Sequence, residues 1–131
     1  MNLDQLYSIF PDQAACLRRL EKVRWQGSPT CPRCNGSRVS SVPKENRYHC
    51  NNCNVSFSPT TATPFHHTHS DLQKWFLAIH LILHAKRPIS VRRMSRTIQL
   101  NKNTTWHIIK RIRLALKQQR RFLEEVVELE D

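Results

Sequence analysis

The sequence predicts a small α+β chain: a short antiparallel sheet, flanked by an N-terminal helix, followed by an all-α bundle that contains a helix-turn-helix. Three observations predict it. Four of the five cysteines fall into two Cys-x-x-Cys pairs, Cys31 with Cys34 and Cys50 with Cys53, separated by fifteen residues. Around the second pair, β-branched and aromatic residues alternate with polar ones. From residue 70 onward apolar residues recur at helical spacing, broken by KRP at 86–88.

Residues 1–27 form an N-terminal helical segment. Residues 3–10 (LDQLYSIF) have helical apolar spacing, and Pro11 and Asp12 restart the pattern; Pro is tolerated in a first turn and Asp there favours the dipole. Leu17, Leu20 and Val23 make one face of the next helix, and Arg18, Arg19 and Lys22 the other. That helix should end before Gly27 and Pro29, with Trp25 covering the first cysteine knuckle. Cys16 lies outside the paired spacing and reads as a small buried hydrophobe.

Residues 28–60 hold the sheet. A two-residue gap lets both sulfurs of a pair turn inward from one knuckle, and two facing knuckles supply a tetrahedral S₄ shell that suits Zn²⁺. Asn35, Gly36 and Asn54 follow the pairs and readily take the left-handed backbone that a knuckle needs. Val39 and Val42 mark a strand, residues 43–46 (PKEN) a turn, residues 47–50 a return strand, and Val55 with Phe57 a third. This is the pattern of a zinc ribbon, whose sheet has too little core to fold alone. One zinc ion held by Cys31, Cys34, Cys50 and Cys53 would supply the missing stability, and four thiolates close the shell, so the ion is structural. Two disulfides would need an oxidising compartment, yet the opening MNLDQLYSIF shows no secretory signal. A thioredoxin-like pair would want a single motif in a βαβ unit. His49, beside Cys50, reads as a strand residue and not a ligand.

Residues 61–69 are a linker, part of SPTTATPFHHTH. His66, His67 and His69 have no acid or Cys near at ligand spacing, which favours a solvated linker over a second metal site. Residues 70–121 carry the bundle. Ser70 opens a helix as a capping box with Gln73. Leu72, Trp75, Phe76, Ile79, Ile82 and Leu83, widened by Leu77 and Leu81, predict a central helix buried on most sides, with Gln73, Lys74, His80 and His84 as its polar remainder. His80 and His84, at i and i+4, lack a third ligand and should be partly exposed. Ser90 caps a short helix with Ile89 and Met94 in staple positions. Val91, Met94 and Ile98 face inward and Arg92, Arg93 and Arg96 outward. Gln99 and Leu100 form a brief turn and Asn101 caps the next helix. Its expected core stripe is Trp106, Ile109, Ile112 and Leu116, and Asn103, His107, Lys110 and Arg111 share the opposite face. Short helix, brief turn and longer helix make a helix-turn-helix.

Charge points to the partner. Lys and Arg number 21 against 10 acids. All 21 basic residues precede residue 122, while five of the acids (Glu124, Glu125, Glu128, Glu130 and Asp131) lie in an acidic tail over 122–131, so residues 1–121 carry a net +16 and the tail −5. A field that positive calls for a polyanion, and double-stranded DNA fits a helix-turn-helix. Arg92, Arg93 and Arg96 would meet phosphates; Asn103 could pair with adenine and Arg111 with guanine, with Lys102 and Thr104 at the helix start and His107 and Lys110 between. The apolar run LAIHLIL is too short to span a bilayer, so no membrane is expected, nor a small-molecule substrate. The expected location is the cytoplasm, on the nucleoid.

Four stretches together, FPDQAACLRRLEKVRWQGSPTCPRCNG, YHCNNCNVSFSPTTATPF, LQKWFLAIHLIL and ISVRRMSRTIQLNKNTTWHIIKRIRLAL, resemble the N-terminal half of the zinc-ribbon DDE-type (ISXO2-like) transposases of bacterial insertion sequences. The resemblance covers residues 9–118. It implies DNA binding at the element's terminal inverted repeats, with Cys31, Cys34, Cys50 and Cys53 matching the family's zinc ligands. Ala62 departs from it, standing where the family usually has Gly. The family's first catalytic carboxylate lies on a Val-Glu-x-Asp-Glu strand; VELED at 127–131 resembles that strand with its acids exchanged. Two-metal phosphodiester transfer needs several carboxylates around both ions, so the chain is expected not to be an enzyme by itself. The readings left open are a truncated or regulatory DNA-binding module, a zinc-ribbon adaptor for a protein partner such as a separately encoded catalytic subunit or the transcription machinery, and the recognition half of an active transposase. A homodimer is compatible with each.

Overall fold

The computed structural model describes residues 1–66 and 71–128. Its elements are α1 (Leu3–Ile9), α2 (Gln13–Trp25), β1 (Val39–Val42), β2 (Arg47–Cys50), β3 (Ser56–Phe57), α3 (Leu72–His84), α4 (Val91–Ile98) and α5 (Lys102–Val126). This is a small α+β protein. It divides into two compact units, one made of residues 17–66 and the other of residues 1–16 with the described residues from 71 onward.

The sheet lies in the first unit, in the antiparallel order β1-β2-β3. Val39 pairs with Cys50 and Val42 with Arg47, and Tyr48 of β2 pairs with Phe57 of β3. A 3₁₀ turn over Pro43–Glu45 joins β1 to β2 and ends at Asn46 in the left-handed conformation, φ 53°. Phe57 is fully buried against Cys31 and Cys50, and Trp25, Val39 and Tyr48 pack round them. Trp25 meets Tyr48 and Phe57 edge-on, both at 5.8 Å between ring centroids. Edge-to-face pairs add about 0.5–1.5 kcal/mol each beyond their buried area, which a sheet this small needs. The tyrosine hydroxyl also donates to Glu21 Oε1 of α2 at 2.7 Å. Burial, and then the adjacent carboxylate, push Tyr48 up to about 12, so it remains a donor at any ordinary pH.

Past β3 the chain is more ordered than the expected solvated linker. The hydroxyls of Thr61 and Thr63 bond into successive turns, Ser58 N–H to Thr61 Oγ1 at 2.9 Å and Thr63 Oγ1 to the Thr60 carbonyl at 2.6 Å. Phe65 is fully buried, and the Arg24 guanidinium donates to the Pro59 carbonyl at 2.9 Å. Side-chain hydroxyls here take over hydrogen bonds that a plain loop would leave to water. His66 is half-buried, while His67 and His69 lie outside the described residues.

The second unit is helical. A capping box starts α1: Asn2 Oδ1 accepts from Gln5 N–H, and Gln5 Oε1 from Asn2 N–H. Asp12 caps α2 by accepting from Ala15 N–H at 2.8 Å, so it precedes the helix instead of sitting in its first turn. Cys16 is fully buried, as its isolation implied. The predicted start of α3 needs correction. Asp71, not Ser70, is the N-cap and its side chain makes no capping bond, while Leu72 N–H donates to Gln13 Oε1 at 3.1 Å. A tertiary partner thus does the work that a local box was expected to do; Ser70 itself lies outside the described residues. From Leu72 to Ile79 all residues but Lys74 are buried, and Phe76 meets Phe10 edge-on at 5.1 Å. Leu81, Ile82 and Leu83 are half-buried.

Two further features differ from the expected pattern. On α5 the buried stripe is Thr105, Ile108, Ile109, Ile112 and Ala115, whereas Trp106 is 46% exposed and Leu116 only half-buried. Thr105, Ile108, Ile112 and Ala115 follow one another by three, four and three residues, the spacing of one narrow face, and a residue one step from Thr105 is turned by about 100° from it. Ile109 and Ile112 are buried as expected, but the face is completed by Thr105 and Ala115 and not by Trp106 and Leu116. At Gln119 the backbone leaves the helix (φ −140°, ψ 42°), so α5 is two pieces. The second buries Leu123 and Val126 and carries exposed i, i+4 ion pairs, Arg120 with Glu124 at 2.9 Å and Arg121 with Glu125 at 3.1 Å. Residues 129–131 of VELED lie outside the described residues.

Candidate metal centre and nucleic-acid interface

The two knuckles are built alike. Asn35 N–H donates to the Cys31 carbonyl at 2.8 Å, and Asn54 N–H to the Cys50 carbonyl at 2.9 Å. Asn35 and Asn54 are both left-handed, φ 59° and 58°. Gly36 leaves room beside the knuckle: a Cβ there would stand 2.6 Å from Asn52 Nδ2, so that side chain would have to shift, and 3.2 Å from Cys34 Sγ. Each turn directs two sulfurs to a common centre. Cys31 Sγ lies 3.6 Å from Cys53 Sγ, Cys34 Sγ lies 3.5 Å from Cys50 Sγ, and all four atoms lie within 4.8 Å of one another. A tetrahedral ion with metal–sulfur bonds of about 2.3 Å would separate its ligands by about 3.8 Å, so the donor set fits such an ion. Cys31 and Cys50 are fully buried and Cys34 is exposed. Among the described residues this is the only group of three or more His, Cys, Asp or Glu side chains that could hold a metal ion; His80 and His84 do not gather a third ligand.

The thiols are unequal. Backbone N–H groups, first that of Cys53, hold Cys50 down at about 6 against burial, which opposes them. Burial pushes Cys31 up, but the N–H groups of Cys34 and Arg33 outweigh it and the thiol is lowered. Burial comes first in raising Cys53, to about 12, with the neighbouring sulfurs adding to it. For Cys34 the N–H of Gly36 acts downward, yet Cys50, burial and Cys31 together raise it. Two positions thus favour thiolate and the other two hold their protons against adjacent negative sulfur. A dication relieves that repulsion, which is the electrostatic basis of an S₄ site.

The second candidate site is the outer face of α4 and the start of α5. Ser90 Oγ accepts from Arg93 N–H at 3.1 Å to begin α4. Gln99 takes left-handed backbone (φ 57°) at its end, the Ser95 hydroxyl donates to the Leu100 carbonyl, and Asn101 Oδ1 accepts from Thr104 N–H at 2.7 Å to begin α5. Met94 and Ile98 are fully buried on the inner side. Arg92, Arg93 and Arg96 of α4 and Lys102, Asn103, His107, Lys110 and Arg111 of α5 are all exposed, and Thr104 is half-buried. The Arg111 guanidinium lies 5.6 Å from the ring centre of Trp75. Arg93 also lines a groove of about 770 Å³ with Lys86, Arg87, Met1, His80 and His84, and among the described residues no acid lines it. What sequence reasoning missed on this face is Trp106, whose indole carries Lys110 Nζ at 4.9 Å.

Residues 11–56 match the model of the transposase zinc-ribbon domain. This part of the chain is similar to transposase zinc ribbons. The match brackets all four clustered cysteines together with α2 and the Trp25 packing that supports them. An uncharacterized protein in transposable element ISH50 of Halobacterium salinarum is 29% identical over 125 residues, a match that takes in 93% of this chain and 42% of that relative. The similarity therefore runs past the ribbon through the helical unit, and the chain spans less than half the relative's length. No solved structure matches the chain. No helix among the described residues is long and apolar enough to cross a membrane.

Proposed function

We propose that the chain is the DNA-recognising part of a transposable-element protein, acting in the cytoplasm on the nucleoid. Cys31, Cys34, Cys50 and Cys53 hold one structural zinc ion, while α4 and the start of α5 bind double-stranded DNA at the element's terminal inverted repeats. The observation that carries this reading is the sidedness of the helix-turn-helix. One side is apolar and buried through Met94, Ile98, Ile108 and Ile112; the other presents Arg92, Arg93, Arg96, Lys102 and Lys110 to solvent. In this motif the first helix crosses the backbone and the second enters the major groove by its N-terminal turns. The arginines of α4 then meet phosphates, and Asn103, Thr104, His107 and Arg111 are left to read base edges. Selection of bound duplexes from a random pool tests it. A recurring motif with steep salt dependence is expected, and a pool that stays random after repeated rounds would remove the reading.

The zinc ion gives the ribbon its stability and takes no part in chemistry, because the shell is closed by protein ligands. The length of the ISH50 relative beyond the match favours a second reading, in which the same recognition unit serves an enzyme whose carboxylates lie on other residues. On either reading this chain binds without cutting. Purified chain with Mg²⁺ or Mn²⁺ should leave a labelled duplex intact, and a metal-dependent nick abolished by Glu130→Ala would contradict that.

A further inference from the structure

Trp106 is an exposed aromatic on the helix that the DNA-binding reading places in the major groove. It is 46% exposed, in the second turn after the Asn101 cap. Its neighbours fix its position: Lys110 Nζ lies 4.9 Å from the ring centre, and the His107 ring lies 4.9 Å away at 73°. Residues three and four apart share a helix face, so Trp106 stands with Asn103 and Lys110 and beside His107. Leaving indole surface in water forfeits the gain of burying it, and nearly half of this residue stays exposed.

We propose that Trp106 contacts bases directly, its ring packing on the 5-methyl group of a thymine in the major groove. The inference rests on the DNA-binding reading. The indole has one N–H donor and no acceptor, so it cannot make the paired hydrogen bonds by which Asn or Arg reads a base. Its contact area is apolar, and the apolar feature of the major-groove edge is the thymine methyl. The cations around it decide between partners. Lys102 and Lys110 are exposed near the ring, and an apolar protein surface covering Trp106 would have to desolvate them, whereas a polyanion neutralises them. The other exposed apolar residue of α5, Leu114, lies eight positions on, about 12 Å along the axis and beyond Lys110, so the two do not join into one apolar patch.

The test uses the duplex recovered by selection, with deoxyuridine replacing each thymine in turn. Wild-type binding should weaken roughly fourfold at one or two positions, the worth of one buried methyl group. Trp106→Ala should lower affinity for the unmodified duplex by at least as much and lose the uracil sensitivity, while Trp106→Phe keeps part of it; the helical circular dichroism of both variants should match wild type, because Trp106 is not among the buried residues of α5. Wild type that binds specifically but ignores uracil at every thymine, or uracil sensitivity that survives in Trp106→Ala, would overturn the inference and leave DNA binding standing. So would a Trp106→Ala variant with altered self-association and unchanged DNA affinity, which would assign the ring to a second copy of the chain. Failure of the wild type to bind any selected duplex would instead remove the DNA-binding reading, and this inference with it.

Discussion

Ala62 shows how strain can sit on one residue. It holds φ at 62° in the turns that leave the sheet, without the polar side chain that eases the same conformation at Asn35, Asn46 and Asn54. An L side chain there costs about 1–2 kcal/mol. Glycine costs about 0.5–1 kcal/mol in unfolded-state freedom, so Ala62→Gly should stabilise the metal-loaded protein by about 0.5–1 kcal/mol in urea unfolding. Lower stability would mean that the methyl group makes contacts worth more than the strain. The cysteines make a second residue-scale prediction. At neutral pH Cys34 and Cys53 are held protonated and Cys50, at about 6, is a thiolate, whereas the metal-bound state needs thiolate throughout. The bound form thus favours the deprotonated groups, its stability is present at high pH, and it is lost as pH falls. Metal uptake should release protons from Cys34 and Cys53 near neutrality and a further one, from Cys50, below about pH 6. Competition with a chelator across that range, corrected for the chelator's own protonation, should show metal affinity falling ever more steeply toward acid. A flat profile would show that the thiolates are already formed.

At the scale of elements, the two helices of the helix-turn-helix should be separable by mutation. Arg93 lies on α4, where only phosphates are within reach on the proposed docking, and Asn103 lies in the first turn of α5. Arg93→Ala should weaken binding to every duplex alike and lower the salt slope by about one unit. Asn103→Ala should cost roughly 1–3 kcal/mol on the selected duplex and little on a scrambled one. Equal losses on both duplexes for Asn103→Ala would reduce α5 to a basic surface. The ribbon's link to α2 can be probed in the same spirit. Tyr48→Phe removes the bond to Glu21 but keeps the stacking on Phe57, 5.6 Å between centroids. Leaving Glu21 without its donor should cost about 1 kcal/mol in urea unfolding. No measurable loss would show that water replaces the hydroxyl.

The whole molecule joins units held together by different means. Residues 17–66 rest on an aromatic cluster and four converging sulfurs, and the helical unit on buried apolar residues of α1, α3, α4 and α5. Metal removal should therefore collapse the sheet and spare most of the helix. With chelator, sheet resonances should disappear while the ellipticity from α3, α4 and α5 largely persists. Simultaneous loss of both signals would show one cooperative unit, with α2 coupling them, since the division between units falls within that helix after Cys16.

The cysteine cluster was legible in the sequence because its information is local. Two residues between cysteines, followed by Asn35 and Asn54, already define a knuckle, and the strand limits at Val39, Val42, Arg47 and Cys50 follow from turn residues alone. The helix caps at Ser90 and Asn101 were local in the same way. Tertiary structure decided what depends on a distant partner. The start of α3 was settled by Gln13, 59 positions away in the chain, the ordering of the segment after β3 by the burial of Phe65 and by Arg24, and the phase of α5 by which of its faces α3 and α4 could cover. Apolar residues sit on more than one side of α5, so periodicity permits several stripes, and only close packing selects the one through Thr105 and Ala115. That choice left Trp106 partly in solvent.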